Sequence, residues 1–409
     1  MVSVTVHQAG WVATMAGPVL KDGAVAVAAG RILAVGPAAE VGQRFPQAAM
    51  VEHGDGVLFP ALVNAHCHLE FSALRGRIPP QNELGLWLEG VMAAMAGLSQ
   101  DEIVQGIEQG LTELWQNGVC LVAETSNTGL SLPFLARSPL EFHYFHECLG
   151  FHLRQPGPLE IDFDVFRGGL ARSLANFSAA AHAPYSVSEA LFGRVAEWNR
   201  RYGRPSAVHL AESLEEVRFL RDGDGFFRLL LQKLGRWRTD YRAPGLTPAA
   251  YLDQLGFLRP DTLAAHGIWL NGEDLEILAR RRTWVVLCPR SNLYTGAGFP
   301  NLPELRRAGV RLALGTDSLA GNRDFSLFQE MLLLHERFPD VPVAELLAMG
   351  TINGATALGR DKDFGSLTPG KKAAMLFIPF EAGGDFWEDL VRAGAAGNIT
   401  WAAAPAKEA

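Results

Sequence analysis

The sequence predicts an α/β fold, a (β/α)₈ TIM-like barrel joined to a small β-sandwich domain that both chain termini form. From Leu58 onward, apolar runs typical of strands alternate with amphipathic segments of helix length. Eight such units fit into roughly 300 residues, which favours a closed barrel over an open sheet. Before and after this region the chain reads as short strands separated by turns, and neither part is long enough for its own core.

The two terminal parts have the same strand-and-turn character. VSVTVHQ and LKDGAVAVAAGRILAVG are apolar, the Ala-Gly-Arg step in the second run indicates a hairpin, and no amphipathic helix of useful length is present. Near the C-terminus an apolar strand, a helix over DFWEDLVRAG and a short strand, ITWAAAP, follow one another. We expect residues 1–57 and 361–409 to form one composite β domain beside a barrel of residues 58–360.

The predicted barrel strands are almost continuously apolar, as expected of parallel strands that are buried on both faces. In chain order they are FPALVNAH, VCLVAET, EFHYFHECLG, FSAAAHAPYS, PSAVHLAES, TLAAHGIWL, TWVVLCPRSN and VRLALGTDS. One of the intervening helices, DEIVQGIEQGLTELWQNG, has acidic residues early and Gly118 at its end. The segment 221–250 after the fifth strand is an expanded loop, long enough for a lid or a substrate contact.

Composition and charge exclude several classes of function. The chain is 48% hydrophobic and 20% charged, as soluble globular proteins are. A net charge of −8 without a basic stripe argues against nucleic acid as a partner. No apolar run is long enough for a membrane span, and the N-terminus lacks the pattern of a signal peptide. We therefore expect a cytoplasmic protein that acts on a small molecule, with homo-oligomerisation left open.

The four cysteines lie far apart in the sequence and lack CxxC spacing, so neither a disulfide framework nor a zinc knuckle is indicated. They are Cys67, Cys120, Cys148 and Cys288. Each lies in an apolar run typical of a strand, and we interpret all four as free buried thiols.

Metal-ligand side chains follow the ends of several predicted barrel strands, where such barrels place their active sites. Strand one ends in His66 and His68, and residues two apart in a strand point to the same side, so both imidazoles can reach one ion. Strand five ends in His209, strand six carries His266, and Asp317 follows strand eight. One such histidine is usually structural, but this coincidence favours a site for Zn²⁺ or Fe²⁺. His143, His146 and His152 flank strand three and fit packing or loop roles.

Five motifs resemble the amidohydrolase superfamily. They are HCH at 66–68, HLAES around His209 and Glu212, AHG at His266, CPRSN at 288–292 and GTDSLAGN from Gly315. Within it they resemble the branch of adenosylhomocysteine/methylthioadenosine deaminases, aminofutalosine deaminases, guanine deaminases and triazine chlorohydrolases. GSLTPGKKA resembles the C-terminal GxLxxGKxAD element of the family, with Ala374 in place of its usual Asp. The motifs specify the superfamily much better than the substrate.

The resemblance implies that His66, His68, His209 and Asp317 hold one divalent ion, zinc or alternatively iron. It implies that Asp317 accepts a proton from the attacking water and that His266 orients this water. Glu212 would protonate the ring nitrogen of the substrate and transfer protons to the leaving amine. The metal would lower the pKa of its bound water and so make hydroxide available near neutral pH.

The lysines bear on the number of metal ions, because many binuclear amidohydrolases bridge two ions with a carboxylated barrel lysine. The chain has Lys21, Lys233, Lys362, Lys371, Lys372 and Lys407, and none of them lies between Leu58 and His209. Where a lysine of strand four would stand, AHAPYS has His182. This pattern favours a single ion, although Glu124 and Glu147, at the ends of strands two and three, leave a glutamate bridge open.

Trp87 and His182 are candidate substrate contacts besides Glu212. His182, closely followed by Ser186, resembles a substrate-contacting histidine of adenosine-type deaminases, and LRG at 74–76 with Trp87 resembles a pocket wall. A plain core aromatic is the alternative for Trp87. Gly85 stands where adenosylhomocysteine deaminases have a ribose-binding glutamate, and arginines for a substrate tail are not evident around strand three.

These features together predict a metal-dependent hydrolytic deaminase of an aminated heterocycle. The first candidate substrate is an adenine nucleoside of the adenosylhomocysteine, methylthioadenosine or aminofutalosine type. The alternatives are a triazine dechlorinase or deaminase, a guanine or cytosine-type base deaminase, and a non-catalytic metal-binding barrel. Amide or lactam hydrolysis is disfavoured by the missing barrel lysine.

Overall fold

The structure, a computed structural model, describes residues 3–157, 159, 176–381 and 383–405. Its strands are β1 (Val4–Val12), β2 (Leu20–Ala28), β3 (Arg31–Pro37), β4 (Ala49–Glu52), β5 (Val57–Pro60), β6 (Leu62–Cys67), β7 (Val119–Ser126), β8 (Glu141–Cys148), β9 (Phe177–Ala181), β10 (Ser206–Leu210), β11 (Thr262–His266), β12 (Trp284–Leu287), β13 (Arg311–Leu314), β14 (Met375–Ile378) and β15 (Thr400–Ala403).

The α-helices connect and cover these strands. They are α1 (Ala38–Arg44), α2 (Leu84–Met95), α3 (Gln100–Gln116), α4 (Leu132–Arg137), α5 (Glu189–Tyr202), α6 (Leu214–Asp222), α7 (Phe226–Lys233), α8 (Pro248–Gln254), α9 (Gly272–Arg281), α10 (Pro289–Thr295), α11 (Leu302–Arg307), α12 (Leu327–Arg337), α13 (Val343–Ala348), α14 (Gly354–Ala357) and α15 (Phe386–Ala395). Among the described residues, no helix is long and apolar enough to cross a membrane.

Strands β6 to β13 form a barrel in which neighbours in sequence are parallel neighbours in space. The barrel closes between its first and last strands, because the carbonyl of His66 accepts the N–H groups of Thr316 and Asp317, each at 3.1 Å. The side-chain amide of Asn64 also donates to the Thr316 hydroxyl at 2.7 Å. The predicted fold class is thus confirmed.

The chain termini form a second sheet, in the order β15-β14-β5-β1-β2-β3, with β4 paired to β1. The predicted hairpin joins β2 to β3 through Ala29 and Gly30, which both have positive φ. The predicted first barrel strand, FPALVNAH, is divided between the two sheets, because β5 pairs with β14 and β1 whereas β6 pairs with β7. The expected boundary at residue 58 therefore falls inside β5.

Buried and half-buried side chains join the terminal sheet to the bottom of the barrel. Glu141, at the start of β8, accepts from Lys372 at 2.6 Å and from Arg360 at 3.1 Å. Trp401 of β15 stacks on Trp115 of α3, with ring centroids 3.9 Å apart. These contacts leave the opposite, C-terminal end of the barrel free for a site.

The segment 221–250 was predicted as an expanded loop, and this is partly wrong. Its first residues complete α6, and FFRLLLQK forms α7. Helix α7 packs across the mouth of the barrel, where the ring of Phe227 stacks on Tyr185 at a centroid distance of 3.5 Å. The segment thus covers the site with a helix.

Candidate active site

Four buried side chains from three barrel strands converge at the C-terminal end of the barrel. The Nε2 atoms of His68 and His209 are 3.2 Å apart. The Oδ1 atom of Asp317 lies 3.8 Å from Nε2 of His68 and 3.9 Å from Nε2 of His66. We call His66, His68, His209 and Asp317 the ligand group; all four are at most 7% exposed.

Hydrogen bonds orient two of the histidines at this end of the barrel. Nδ1 of His209 donates to the backbone carbonyl of His182 at 2.9 Å, so its Nε2 atom faces the other members of the ligand group. Nδ1 of His266 pairs with Oδ1 of Asn292 at 2.8 Å, which leaves its Nε2 atom directed at Glu212. A partner on one ring nitrogen fixes the tautomer and prepares the other nitrogen as an acceptor or ligand.

The chemistry of the ligand group fits a metal ion. Nε2 of His66 is buried and has no hydrogen-bond partner among the described residues. Burial, together with neighbouring histidines, holds the pKa values of His66 and His209 well below their ordinary range, so these imidazoles are neutral. Neutral imidazoles and a carboxylate are the ligands that zinc takes, in a tetrahedron whose ligand atoms are about 3.3 Å apart. Of the separations given above, 3.2 Å matches that spacing, whereas 3.8 and 3.9 Å exceed it by about half an ångström.

Glu212 and His266 form a second pair beside the ligand group. Oε1 of Glu212 lies 3.6 Å from Nε2 of His266. Burial raises the pKa of Glu212, which favours the form that can donate a proton. The pair therefore combines a potential acid with a histidine that can orient a polar substrate or water.

Of the two glutamates that the sequence left open as bridges, Glu147 borders the ligand group. Its Oε1 atom lies 3.6 Å from Nδ1 of His209, the nitrogen that faces away from His68. Burial raises the pKa of Glu147 to about 8. Glu124 instead accepts the backbone N–H of Leu69 at 2.9 Å, so it braces the chain that follows His68.

The backbone around the site turns sharply at three residues other than glycine. Ala211, His266 and Asp317 have φ values of 50°, 75° and 57°. Both carboxylate oxygens of the buried Glu216 accept backbone N–H groups, from Ala211 at 2.9 Å and from Glu212 at 3.2 Å. At Gly315, a Cβ atom would lie 2.7 Å from the carbonyl oxygen of His66. The turn into Asp317 therefore needs glycine at that position.

Several of these supporting residues were not predicted from the sequence. Asn64 bonds to Thr316, Ser291 donates to Oδ2 of Asp317 at 2.5 Å, and Asn292 holds His266. Ser291 and Asn292 lie in CPRSN, a motif that the resemblance had already identified. Glu216 lies four residues after Glu212, a spacing that places both near one end of α6 and could have suggested it.

A cavity of about 320 Å³ opens above the ligand group. Of the predicted site residues, His68, Trp87, His182, His209, Glu212, His266 and Asp317 line it, and His66 lies beneath. Trp87 is also part of the core, since it is 7% exposed and donates to the carbonyl of Ala320 at 3.0 Å. Gly85 packs closely against Phe226, whose ring would lie 2.9 Å from a Cβ atom there.

The three histidines that flank strand three and the four cysteines lie outside this cavity. His143 is buried and pairs with the Ser178 hydroxyl at 2.7 Å, and neither His146 nor His152 lines the cavity. The four cysteines are free and buried, as predicted.

Comparison with known proteins places this geometry in a family. The model of the amidohydrolase family matches residues 57–395. A model of the imidazolonepropionase-like composite domain of bacteria matches residues 23–48, within the terminal sheet.

Individual relatives agree with that match. The chain is 30% identical over 390 residues to a 5-methylthioadenosine/S-adenosylhomocysteine deaminase of Pelotomaculum thermopropionicum, covering 91% of this chain and 84% of the relative. An adenosine deaminase structure from Xanthomonas campestris with bound zinc superposes with a TM-score of 0.80 at 26% identity, covering 97% of this chain and 90% of the other. The structure of Helicobacter pylori aminofutalosine deaminase in complex with methylthio-coformycin superposes with a TM-score of 0.81 at 23% identity, covering 97% of this chain and 100% of the other.

The family match covers the whole barrel, and the predicted resemblance is thereby confirmed. The prediction of a hydrolase that acts on carbon–nitrogen bonds is confirmed with it. This chain belongs to the amidohydrolase family.

Proposed function

We propose that this protein is a hydrolytic deaminase of an adenine nucleoside that uses one zinc ion and releases ammonia. The observation that carries the proposal is the buried Glu212 carboxyl beside His266, directly next to the ligand group and open to the cavity. The deaminases of Pelotomaculum thermopropionicum and Xanthomonas campestris support an adenine nucleoside as the substrate. A cytoplasmic location and homo-oligomerisation stay predictions.

The residues that would hold the ion are His66, His68, His209 and Asp317. Zinc is proposed because three imidazoles and one carboxylate suit it and because the Xanthomonas campestris structure contains it. When bound, the ion lowers the pKa of coordinated water, so that hydroxide is available near neutral pH.

The chain supplies the proton transfers around the attacked ring carbon. Asp317 accepts the proton of the attacking water at Oδ1, while its Oδ2 atom is held by the Ser291 hydroxyl. Nε2 of His266 orients the water, and Glu212 donates its proton to the ring nitrogen next to the attacked carbon. The water oxygen adds to this carbon, Glu212 takes the proton of the new hydroxyl group and passes it to the amine, and the carbon–nitrogen bond breaks. The proton that Asp317 took from the water then restores Glu212. Ammonia leaves, and a ring carbonyl remains.

Trp87 and His182 are proposed to position the heterocycle in this reaction. His182 lines the cavity, and its Nδ1 atom is fixed by the Ser186 hydroxyl at 2.6 Å, so that the other ring nitrogen is free for a ligand. Trp87 offers an apolar edge, because its indole N–H is already bonded to Ala320.

Replacing Glu212 by Gln tests the proposal, because glutamine keeps the shape of the side chain but carries no transferable proton. We expect ammonia release from adenosine, methylthioadenosine and adenosylhomocysteine to fall at least about 100-fold, the contribution typical of general acid–base catalysis. Metal content, measured by elemental analysis, should stay at the wild-type value. Glu276→Gln makes the same change at an exposed position of α9 and should leave turnover unaltered.

Two further arms of this experiment separate the remaining alternatives. His66→Ala should lose bound metal together with turnover, because it removes one member of the ligand group. Release of chloride from a chlorotriazine, or of ammonia from guanine or cytosine only, would replace the adenine nucleoside as substrate. Undiminished turnover in Glu212→Gln would remove Glu212 from the proton transfers.

A further inference from the structure

Helix α12 carries a buried carboxylate that the proposed reaction does not use. Glu330 is completely buried and does not line the cavity. Its Oε2 atom accepts the backbone N–H of Arg290 at 2.9 Å, and its Oε1 atom accepts the side-chain amide of Asn322 at 2.8 Å. Arg290 lies in the first turn of α10, after β12, and Asn322 lies in the loop after β13. One buried carboxylate thus joins the segments that follow two neighbouring barrel strands.

Both of these hydrogen bonds end next to the Asp317 carboxylate. The amide nitrogen of Asn322 also donates to the carbonyl of Thr316, the residue before Asp317, at 2.9 Å. Ser291, the residue after Arg290, donates to Oδ2 of Asp317 at 2.5 Å. The contacts therefore form a closed ring, in which the α12 carboxylate holds both partners of the hydrogen bond between Ser291 and Asp317.

Asp317 depends on such support because its backbone is strained. Its φ of 57° is left-handed, and a residue with a Cβ atom keeps this conformation only where surrounding contacts hold it. With Oδ2 bonded to Ser291, Oδ1 faces the ligand group, 3.8 Å from Nε2 of His68. The turn of α10 that carries Ser291 also carries Asn292, whose Oδ1 atom is bonded to Nδ1 of His266. A displacement of this turn would therefore move the partners of two site residues together.

We propose that Glu330 is a positioning residue, which acts on the site through the hydrogen bond between Ser291 and Asp317. By holding both segments, it keeps Oδ1 of Asp317 directed at the ligand group. Loss of a group that orients a metal ligand typically costs about 10- to 100-fold in metal affinity or activity. The inference rests on the proposed function for the ion and the reaction, and its test includes a zinc measurement that needs no substrate.

Replacing Glu330 by Gln tests the inference, because glutamine accepts only one of the two donors and turns its own amide towards the other. Zinc affinity of the zinc-loaded protein is measured by competition with a chromophoric chelator, and kcat and KM by ammonia release from methylthioadenosine. We expect zinc affinity and kcat each to fall about tenfold, with KM nearly unchanged, since Glu330 touches no substrate. Glu336→Gln, the same change at an exposed position of α12, should alter none of these values.

A double-mutant cycle with Ser291→Ala separates positioning from a general loss of stability. Ser291→Ala alone should cost about as much as Glu330→Gln, and the double variant should be no worse than either single variant, because both changes break one chain of contacts. Independent structural effects would instead multiply to about 100-fold. Asn322→Ala breaks only one arm of the network and takes the place of Glu330→Gln in the cycle if that variant does not fold.

The outcomes distinguish this inference from the proposed function. Wild-type zinc affinity and kcat in Glu330→Gln, or multiplied losses in the double variant, would overturn the positioning role and leave the deaminase in place. Zinc affinity that falls as expected, without ammonia release by wild type from adenosine, methylthioadenosine or adenosylhomocysteine, would refute the deaminase and keep the positioning role. Absence of zinc binding in wild type would refute both.

Discussion

Ala211, His266 and Asp317 carry backbone strain at the positions where the site needs sharp turns. Left-handed φ values in residues with a Cβ atom cost of order 1–3 kcal/mol each and persist only where surrounding contacts hold them. Around Ala211 these contacts are the Glu216 carboxylate and the N–H groups of Ile268 and Trp269, which both donate to the Ala211 carbonyl. Glu212 thus receives its position from a buried side chain four residues later.

Replacing Glu216 by Gln tests this positioning role. A glutamine can accept only one of the two N–H groups, and its own amide would face the other, at a cost of about 1–3 kcal/mol. We expect a lower melting temperature and a kcat reduced about tenfold, with metal content unchanged. A changed pH profile of kcat would show that the effect passes through Glu212, since a merely structural loss would leave the profile in place. Wild-type kcat and stability in Glu216→Gln would contradict the role.

At the scale of single residues, the sequence predicts metal-ligand side chains better than their supports. His66 and His68 were found because a spacing of two on a strand has a direct geometric meaning. Asn64 and Glu216 were missed, since their partners are backbone N–H groups that come into reach only after folding. The binding of metal by His66 and His68 stays a prediction.

At the scale of elements, the predicted strands extend several residues beyond the observed ones. In the seventh, β12 ends at Leu287, and PRSN forms the first turn of α10, with Pro289 in the first turn where its missing N–H is tolerated. The fifth ends at Leu210 because the chain turns at Ala211. Polar residues that follow a strand continue its pattern in sequence, although in space they belong to the loops at the C-terminal end of the barrel.

Helix α7 escaped prediction for a related physical reason. FFRLLLQK is apolar on most sides, has no side-chain cap at Gly225 and carries no acidic residue in its first turn. The usual signals of a helix start are therefore missing. Its stability comes from tertiary packing on Tyr185 and the cavity wall.

Phe227→Ala tests the role of α7 as cover of the site. The ring of Phe227 is 1% exposed, and its removal should cost about 3–5 kcal/mol of stability, as large cavities in cores do. We also expect KM to rise more than kcat falls, because α7 forms a wall of the cavity and holds no reacting group. Leu229→Ala, 64% exposed on the same helix, is the control and should change neither. Equal effects of both variants would argue against a covering role.

At the scale of the whole molecule, the sequence predicted that the two terminal segments form one domain but not how their strands are arranged. Short strands at both ends, neither with a core of its own, predicted that they pair. The order of the strands in the terminal sheet could not be predicted, because β5 pairs with β14 through residues more than 300 positions apart in the sequence. Such pairings leave no local signal in a single sequence.

The terminal sheet makes the stability of the protein depend on pH through His7. Burial, together with the adjacent His53, lowers the pKa of His7 to about 4, and Nδ1 of His7 lies 3.0 Å from Nε2 of His53. The unfolded chain binds this proton near pH 6.5, so the free energy of unfolding is unaffected above that pH and decreases as the pH falls towards 4.

His7→Gln should flatten the dependence of the melting temperature on pH between 6.5 and 4 relative to wild type. His152→Gln, the same change at an exposed histidine, should leave the dependence as it is. The measurement is thermal unfolding at half-unit pH steps, and parallel curves for wild type and His7→Gln would refute the assignment.

The contact between β6 and β13, which closes the barrel, can form only late in the synthesis of the chain. Asn64 and Thr316, which hydrogen-bond across this contact, are 252 residues apart in the chain. At ribosomal speeds of about 5–20 residues per second, roughly 10–50 s pass between the synthesis of the two. Throughout that interval a nascent chain carries His66 and His68 without Asp317. Strand β13 completes the barrel and is followed by Asp317, the last member of the ligand group. A chain truncated before β13 therefore has neither a closed barrel nor the complete ligand group.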